Sequence, residues 1–163
     1  MNDFSDLQHQ LDEAIKQSTE VYNSINNYAI EIGVVSGNTN RKHTVDITNA
    51  ELMYIHENGS PLNNIPARPV LQITINKALK TLVPETLDRI FDGCFSKGWT
   101  KEDVKQELEK LCIRLQSITR KIIYQSNELA PNAPSTIKSK GSDRPLLDTG
   151  QLARSITCRL INK

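Results

Sequence analysis

The 163-residue sequence predicts an α+β fold, a small antiparallel sheet packed with several helices, in a single domain. Three observations predict it. Val104, Leu108, Leu111, Leu115, Ile118 and Ile122 step by three or four residues, the clearest helical periodicity in the chain. Leu7, Leu11, Ile15, Tyr22 and Ile25 form a second helical stripe near the N-terminus. Two short segments alternate instead: Ile30, Ile32 and Val34 early in the chain, and Ile156, Cys158 and Leu160 late in it. The corresponding strands, 29–36 and 155–161, are the expected sheet members, and a pairing between them is plausible.

The elements follow in order. A long N-terminal helix is expected over 5–26, with Ser5 and Gln8 as a capping box. The strand 29–36 ends at Gly37, "GNTNRKH" is a polar turn or loop, and "HTVDI" is a candidate return strand. Thr48 and Glu51 form a capping box for a short helix that runs to about Glu57 and stops near Gly59. "SPLNNIPARP" is a loop in which Pro66 and Pro69 push Ile65 and Arg68 towards extended backbone. Pro69 sits at a first helical position, ahead of the stripe Leu71, Ile75, Ala78, Leu79 and Leu82. Pro84 must kink or split that helix, and Leu87, Ile90 and Phe91 continue its pattern. Thr100 and Asp103 start the long helix near 100–126, whose stripe is expected to pack on the chain's own sheet rather than in a coiled coil. The Pro-, Ser-, Gly- and Lys-containing stretch 127–148 reads as a long mobile loop. Asp148 and Gln151 then offer a cap for a short helical turn through Ala153, before the last strand.

Charge is distributed unevenly. The net formal charge is +1, yet residues 1–37 carry six acids and one base, while residues 120–163 carry eight bases and three acids. Such polarity can pair the ends within one chain or pair one chain with the next. No apolar run reaches the length of a membrane span, and "MNDFSDLQHQ" lacks the regions of a signal peptide. The expectation is synthesis and retention in a cytoplasm, or travel within a larger particle. Cys94, Cys112 and Cys158 fit neither a disulfide framework nor a zinc spacing and are expected as reduced thiols.

Signals for chemistry are sparse. His56-Glu57 would need a second His four residues after the first to form a zincin helix, and that position is Ser60. Asp148-Thr149-Gly150 matches the aspartic-protease triplet, but that triplet works in pairs on an all-β scaffold, and this chain is rich in helix. No nucleophile elbow or phosphate cradle is present. Neither catalysis nor a metal or cofactor is expected. Lys138, Lys140 and Arg144 could touch phosphates, but no aromatic residues interleave with them.

Two segments carry a resemblance: "ELMYIHENGSPLNNIPARPVL" and, downstream, "APNAPSTIKSKGSDRPLLDTGQLARSITCRLI". Together they resemble the neck or tail-completion proteins of tailed bacteriophages, and are similar to the virion-morphogenesis proteins of contractile-tailed phages. The match covers residues 51–71 and 129–161, with Val70 where that family usually has Phe and Leu147 where it commonly has Ile. The resemblance implies a non-enzymatic virion protein, made in the host cytoplasm and residing at the head–tail junction. It would form a homo-oligomeric ring, expected as a hexamer, that helps join the DNA-filled head to the tail. Other neck and tail proteins are its expected partners, and DNA in the ring lumen a possible non-specific contact. On the matched segments, His56, Glu57, Ile65, Pro66, Arg68, Pro69, Lys138, Lys140, Arg144 and Asp148 are the expected interface or assembly residues. The competing readings are a nucleic-acid-binding regulator that uses the basic C-terminal third, and a small hydrolase built round His56 and Asp148.

Overall fold

A computed structural model describes residues 3–35 and 47–163. Its elements are α1 (Asp3–Asn26), β1 (Tyr28–Gly33), α2 (Asn49–Asn58), a 3-10 turn (Pro61–Asn63), α3 (Val70–Lys80), α4 (Leu82–Lys97), α5 (Lys101–Gln125), α6 (Pro134–Lys140), α7 (Gln151–Ser155) and β2 (Thr157–Asn162). The fold is α+β, mostly helical, with β1 and β2 paired antiparallel from Tyr28↔Asn162 to Gly33↔Thr157. The two predicted strands are thus sheet partners. Gly37 and most of the candidate return strand lie outside the described residues.

The long periodic stripe makes α5 the spine. Three clusters of buried side chains line up along it. Val104 and Leu108 pack with Val21, Ile90 and Cys94 at its N-terminal end. Leu111 and Leu115 pack with Ala78 and Leu82 at its middle, where Ile30, Ile32 and Cys158 of the sheet also meet it. Ile122 and Ile123 pack with Met53, Val70, Leu129, Leu152, Ala153 and Ile156 at its C-terminal end. The stripe packs on the chain's own sheet and helices, as its spacing predicts.

Local signals set the helix ends. Thr48 accepts from the Glu51 N–H at 3.2 Å, and the Glu51 carboxylate accepts from the Thr48 N–H at 2.8 Å. Thr100 and Asp103 repeat that box at the start of α5. Pro84 splits rather than kinks its helix: α3 ends at Lys80, Thr81 takes φ −133° and ψ −63°, and Pro84 lies in the first turn of α4. There its missing N–H would have had no helical partner. Ser5 is not a cap, because the helix already runs at Asp3. Asp148 is not one either: Gly150, at φ 73°, is the N-cap of α7, and Thr149 accepts from the Gln151 N–H at 3.4 Å. The stretch predicted as one loop contains α6, with Pro134 in its first turn and Gly141 in the left-handed conformation at its end.

α1 meets the core mainly with its last turns. Its contacts come from Val21 and Ile25, the latter a member of the predicted stripe, and from Gln17, whose amide donates to the Cys94 carbonyl at 2.8 Å. Leu7, Leu11, Ile15 and Tyr22 are 64, 60, 56 and 65% exposed. A helix turns about 100° per residue, so Leu7 shares a face with Ile25; residues 4–20 are exposed on every side, and position along the helix rather than its face leaves Leu7 uncovered.

One buried charge sits against the spine. Glu107, 4% exposed, accepts from Arg89 at 2.6 Å and Lys110 at 3.0 Å. Burial pushes its pKa up, but the hydrogen bonds from Arg89 and Lys110 outweigh it and hold the carboxyl below its ordinary value. A depressed folded pKa stabilises fully above the unfolded value and loses that contribution as pH falls through the folded one. Glu107→Gln should therefore cost about 2 kcal/mol at neutral pH. The gap between variant and wild type should close on acidification below the ordinary glutamate pKa of about 4.3. Urea unfolding across that range checks it; a gap independent of pH would show that the charge contributes nothing.

Candidate functional site

The sharpest corner of the chain follows α2. Gly59 takes φ 76°, and a side chain there would meet backbone: its Cβ would lie 2.9 Å from the Ala67 nitrogen and 3.0 Å from the Ile65 oxygen. Only glycine lets the returning strand of chain pass so close. Ser60 and Ile65 exchange backbone hydrogen bonds at 2.9 and 3.0 Å around the 3-10 turn, which Asn64 closes at φ 54°. The Arg68 N–H then donates to the His56 carbonyl at 2.6 Å. The proline-rich segment is thereby tied back along the helix it has just left.

Glu57 completes this joint. Its two carboxylate oxygens accept from the Leu71 N–H at 3.0 Å and the Gln72 N–H at 2.8 Å, the open donors in the first turn of α3. Pro69, the cap position of α3, provides no side-chain bond of its own. A carboxylate from the end of one helix thus caps the start of the next, where the helix dipole also favours it.

Arg68 links this corner to the downstream segment. Its side chain is turned inward, and the residue is 6% exposed. Nε donates to the Ala130 carbonyl at 2.8 Å, and Nη2 to the Pro131 carbonyl at 2.9 Å and Asn132 Oδ1 at 3.4 Å. The Asn132 amide in turn donates to the Asp143 and Arg144 carbonyls at 3.2 and 3.1 Å. Lys140 Nζ donates to the same Arg144 carbonyl at 2.9 Å, and Arg144 Nη1 to Asn127 Oδ1 at 3.3 Å. One arginine and one asparagine thereby hold both ends of the 130–144 excursion.

Between corner and excursion lies a cleft of about 710 Å³. Of the sequence-predicted residues, His56, Ile65, Pro66, Arg68, Lys140 and Asp148 line it. Glu57 and Pro69 build the joint behind it, Lys138 is exposed on α6, and Arg144 contributes its carbonyl and its bond to Asn127. Apolar surface comes from Leu52, Pro61, Leu146 and Leu152. Leu146 takes φ 61°, a left-handed conformation that costs a leucine energy and is held there by its surroundings. Burial and the Arg68 charge pull the Lys140 pKa down, burial contributing most, while Asp148 opposes them. Asn132 and Leu146 were not singled out from the sequence. "APN" beside "IPARP" would have pointed to Asn132 only with the knowledge that the two segments touch.

The cleft has a proline-lined wall, with Arg68 and Lys140 among its lining residues and apolar residues between them. Among the described residues, no group of three or more His, Cys, Asp or Glu side chains could hold a metal ion, and no helix is long and apolar enough to cross a membrane. Comparisons with protein-family models, curated proteins and solved structures give no match.

Proposed function

We propose that this chain is a structural virion protein of a tailed phage, acting at the head–tail junction as a neck or tail-completion protein. In this reading it assembles as a ring, expected as a hexamer, works without enzymatic activity, and helps join the filled head to the tail. The supporting observation is the meeting of the two segments that carry the resemblance. Arg68 of "IPARP" binds the backbone of "APN" more than sixty positions away, and both segments line one cleft. Two motifs distant in sequence thus share one structural task, presenting a preformed surface with little conformational freedom left to lose.

A stop codon early in the gene should leave filled heads and free tails unjoined in infected cells. Added purified protein should restore infectious particles. The variant Lys138→Glu/Arg144→Glu should fold, as both side chains reach the surface or its rim, yet restore far fewer. Normal titres without the protein would overturn the reading. Steep salt-dependent DNA binding by a monomer that joins nothing would favour the regulator instead.

A further inference from the structure

Two of the three cysteines meet at the middle of the spine. Ile156, Cys158 and Leu160 alternate at and along β2. Ile156 packs with Ile122 and Ile123, and Leu160 packs against the cluster of Val104 and Leu108. β2 therefore runs along α5 from its C-terminal end towards its N-terminal end, and Cys158, between the two, packs against the cluster of Leu111 and Leu115. Cys112 lies on this same face of α5, four residues after Leu108 and three before Leu115, and is 4% exposed. Both thiols are free, and Cys158 donates a hydrogen bond to the Cys112 sulfur. Cys158 keeps part of its surface open to solvent, whereas Cys112 is buried.

We propose that Cys112 and Cys158 are an oxidisable pair that a hydroperoxide converts into a disulfide between α5 and β2. The Cys158 sulfur attacks one peroxide oxygen, becomes a sulfenic acid and releases water. Cys112 then attacks that sulfur; the S–S bond forms, the S–O bond breaks and a second water leaves. Two thiols and one hydrogen peroxide thus give one disulfide and two waters, the sulfurs being oxidised and the peroxide oxygens reduced. The bond from Cys158 holds the Cys112 thiol below its ordinary pKa against burial, which suits it to the second step. The same bond, with burial, holds Cys158 above its ordinary value, which makes the first step slow. Brief exposure therefore leaves the pair reduced, and a sustained oxidising setting closes it. Cys94 takes no part, because it packs with Val21 and Ile90 at the N-terminal end of the spine. The disulfide closes a loop that contains Asn132, α6 and α7, so it restricts the unfolded chain and ties the downstream wall of the cleft to the spine. On the head–tail reading, the protein meets such a setting when the particle leaves the host cytoplasm; the chemistry itself does not depend on that reading.

The test treats the full chain with excess hydrogen peroxide, counts thiols in denaturant and maps peptides by mass. Expected are three thiols before and one after, a loss of the mass of two hydrogens, and a peptide that links Cys112 to Cys158. The thermal midpoint should rise by roughly 5–10 °C, and a dithiol reductant should reverse the rise. Cys158→Ser and Cys112→Ala should each show neither the bond nor the rise. Three thiols that persist under peroxide overturn the proposal, as does oxidation of Cys158 alone to sulfinic or sulfonic acid. A bond to Cys94 or between chains overturns it, and so does a Cys112–Cys158 bond that fails to raise the midpoint. None of these outcomes bears on the head–tail reading, which phage complementation decides.

Discussion

Arg68→Ala should lower the free energy of unfolding by about 3 kcal/mol. The loss is larger than that of an ordinary arginine because this side chain does not face water. Its guanidinium serves the carbonyls of Ala130 and Pro131, which lose charge-assisted donors at 2.8 and 2.9 Å. The open cleft lets water replace part of this, which keeps the cost below that of a fully sealed site. Burial lowers the Arg68 pKa, and arginine nonetheless stays charged. Arg68→Lys should recover less than half of the stability, since one ammonium cannot reproduce a planar fork aimed at two carbonyls. Urea unfolding measures both. A loss below about 1 kcal/mol for alanine would place Arg68 among ordinary surface residues. The expected loss would reflect the bonds by which Arg68 ties the corner to Ala130 and Pro131.

Gly93→Ala should cost about 2–3 kcal/mol, despite the better helix propensity of alanine. Gly93 is buried in α4, and a Cβ there would stand 2.1 Å from Trp99 Cδ2 and 2.4 Å from Cε3. The indole lies back over the helix because the chain reverses at Gly98, in the left-handed conformation, and the Trp99 N–H returns to the Gly93 carbonyl at 3.1 Å. A methyl group at position 93 must evict the ring from the cluster of Val21, Ile90 and Cys94. The chain has one tryptophan, so its emission reports this directly. The expected result is a red shift together with a lower unfolding midpoint. Unchanged emission and stability would mean that the ring has room to move.

What could be read from the sequence was what is decided locally. The two strands, both Thr-headed capping boxes and the α5 stripe depend on neighbours a few residues away, and all are found in the fold. The stripe of α1 was visible too, but periodicity reports that a face exists, not what meets it. Ile25 of that stripe does pack against α4 and α5, beside Val21, while Leu7, Leu11, Ile15 and Tyr22 are exposed. α6 escaped notice because seven residues carry too little pattern, although Pro134 and Gly141 bracket it as start and stop signals. The cleft was illegible in a different way. His56, Ile65, Pro66, Arg68, Lys140 and Asp148 of its lining were singled out, but the contact of Arg68 with 130–132 is a long-range one that no local rule encodes. The resemblance gave the two segments only their order along the chain, and it is the fold that brings them into contact.

The two-stranded sheet also bears on how the chain is made. Glu31 and Arg159 are paired residues 128 positions apart. β1 therefore emerges from the ribosome long before its hydrogen-bonding partner exists, carrying Ile30 and Ile32 on an open edge. Such an edge can template pairing with other nascent chains. Meanwhile α5, built from contacts between near neighbours, can coil early and offer Leu111 and Leu115 as a temporary cover for the isoleucines. Slowed translation between α5 and β2 should thus be better tolerated than a pause before α5, when β1 has neither partner nor shelter.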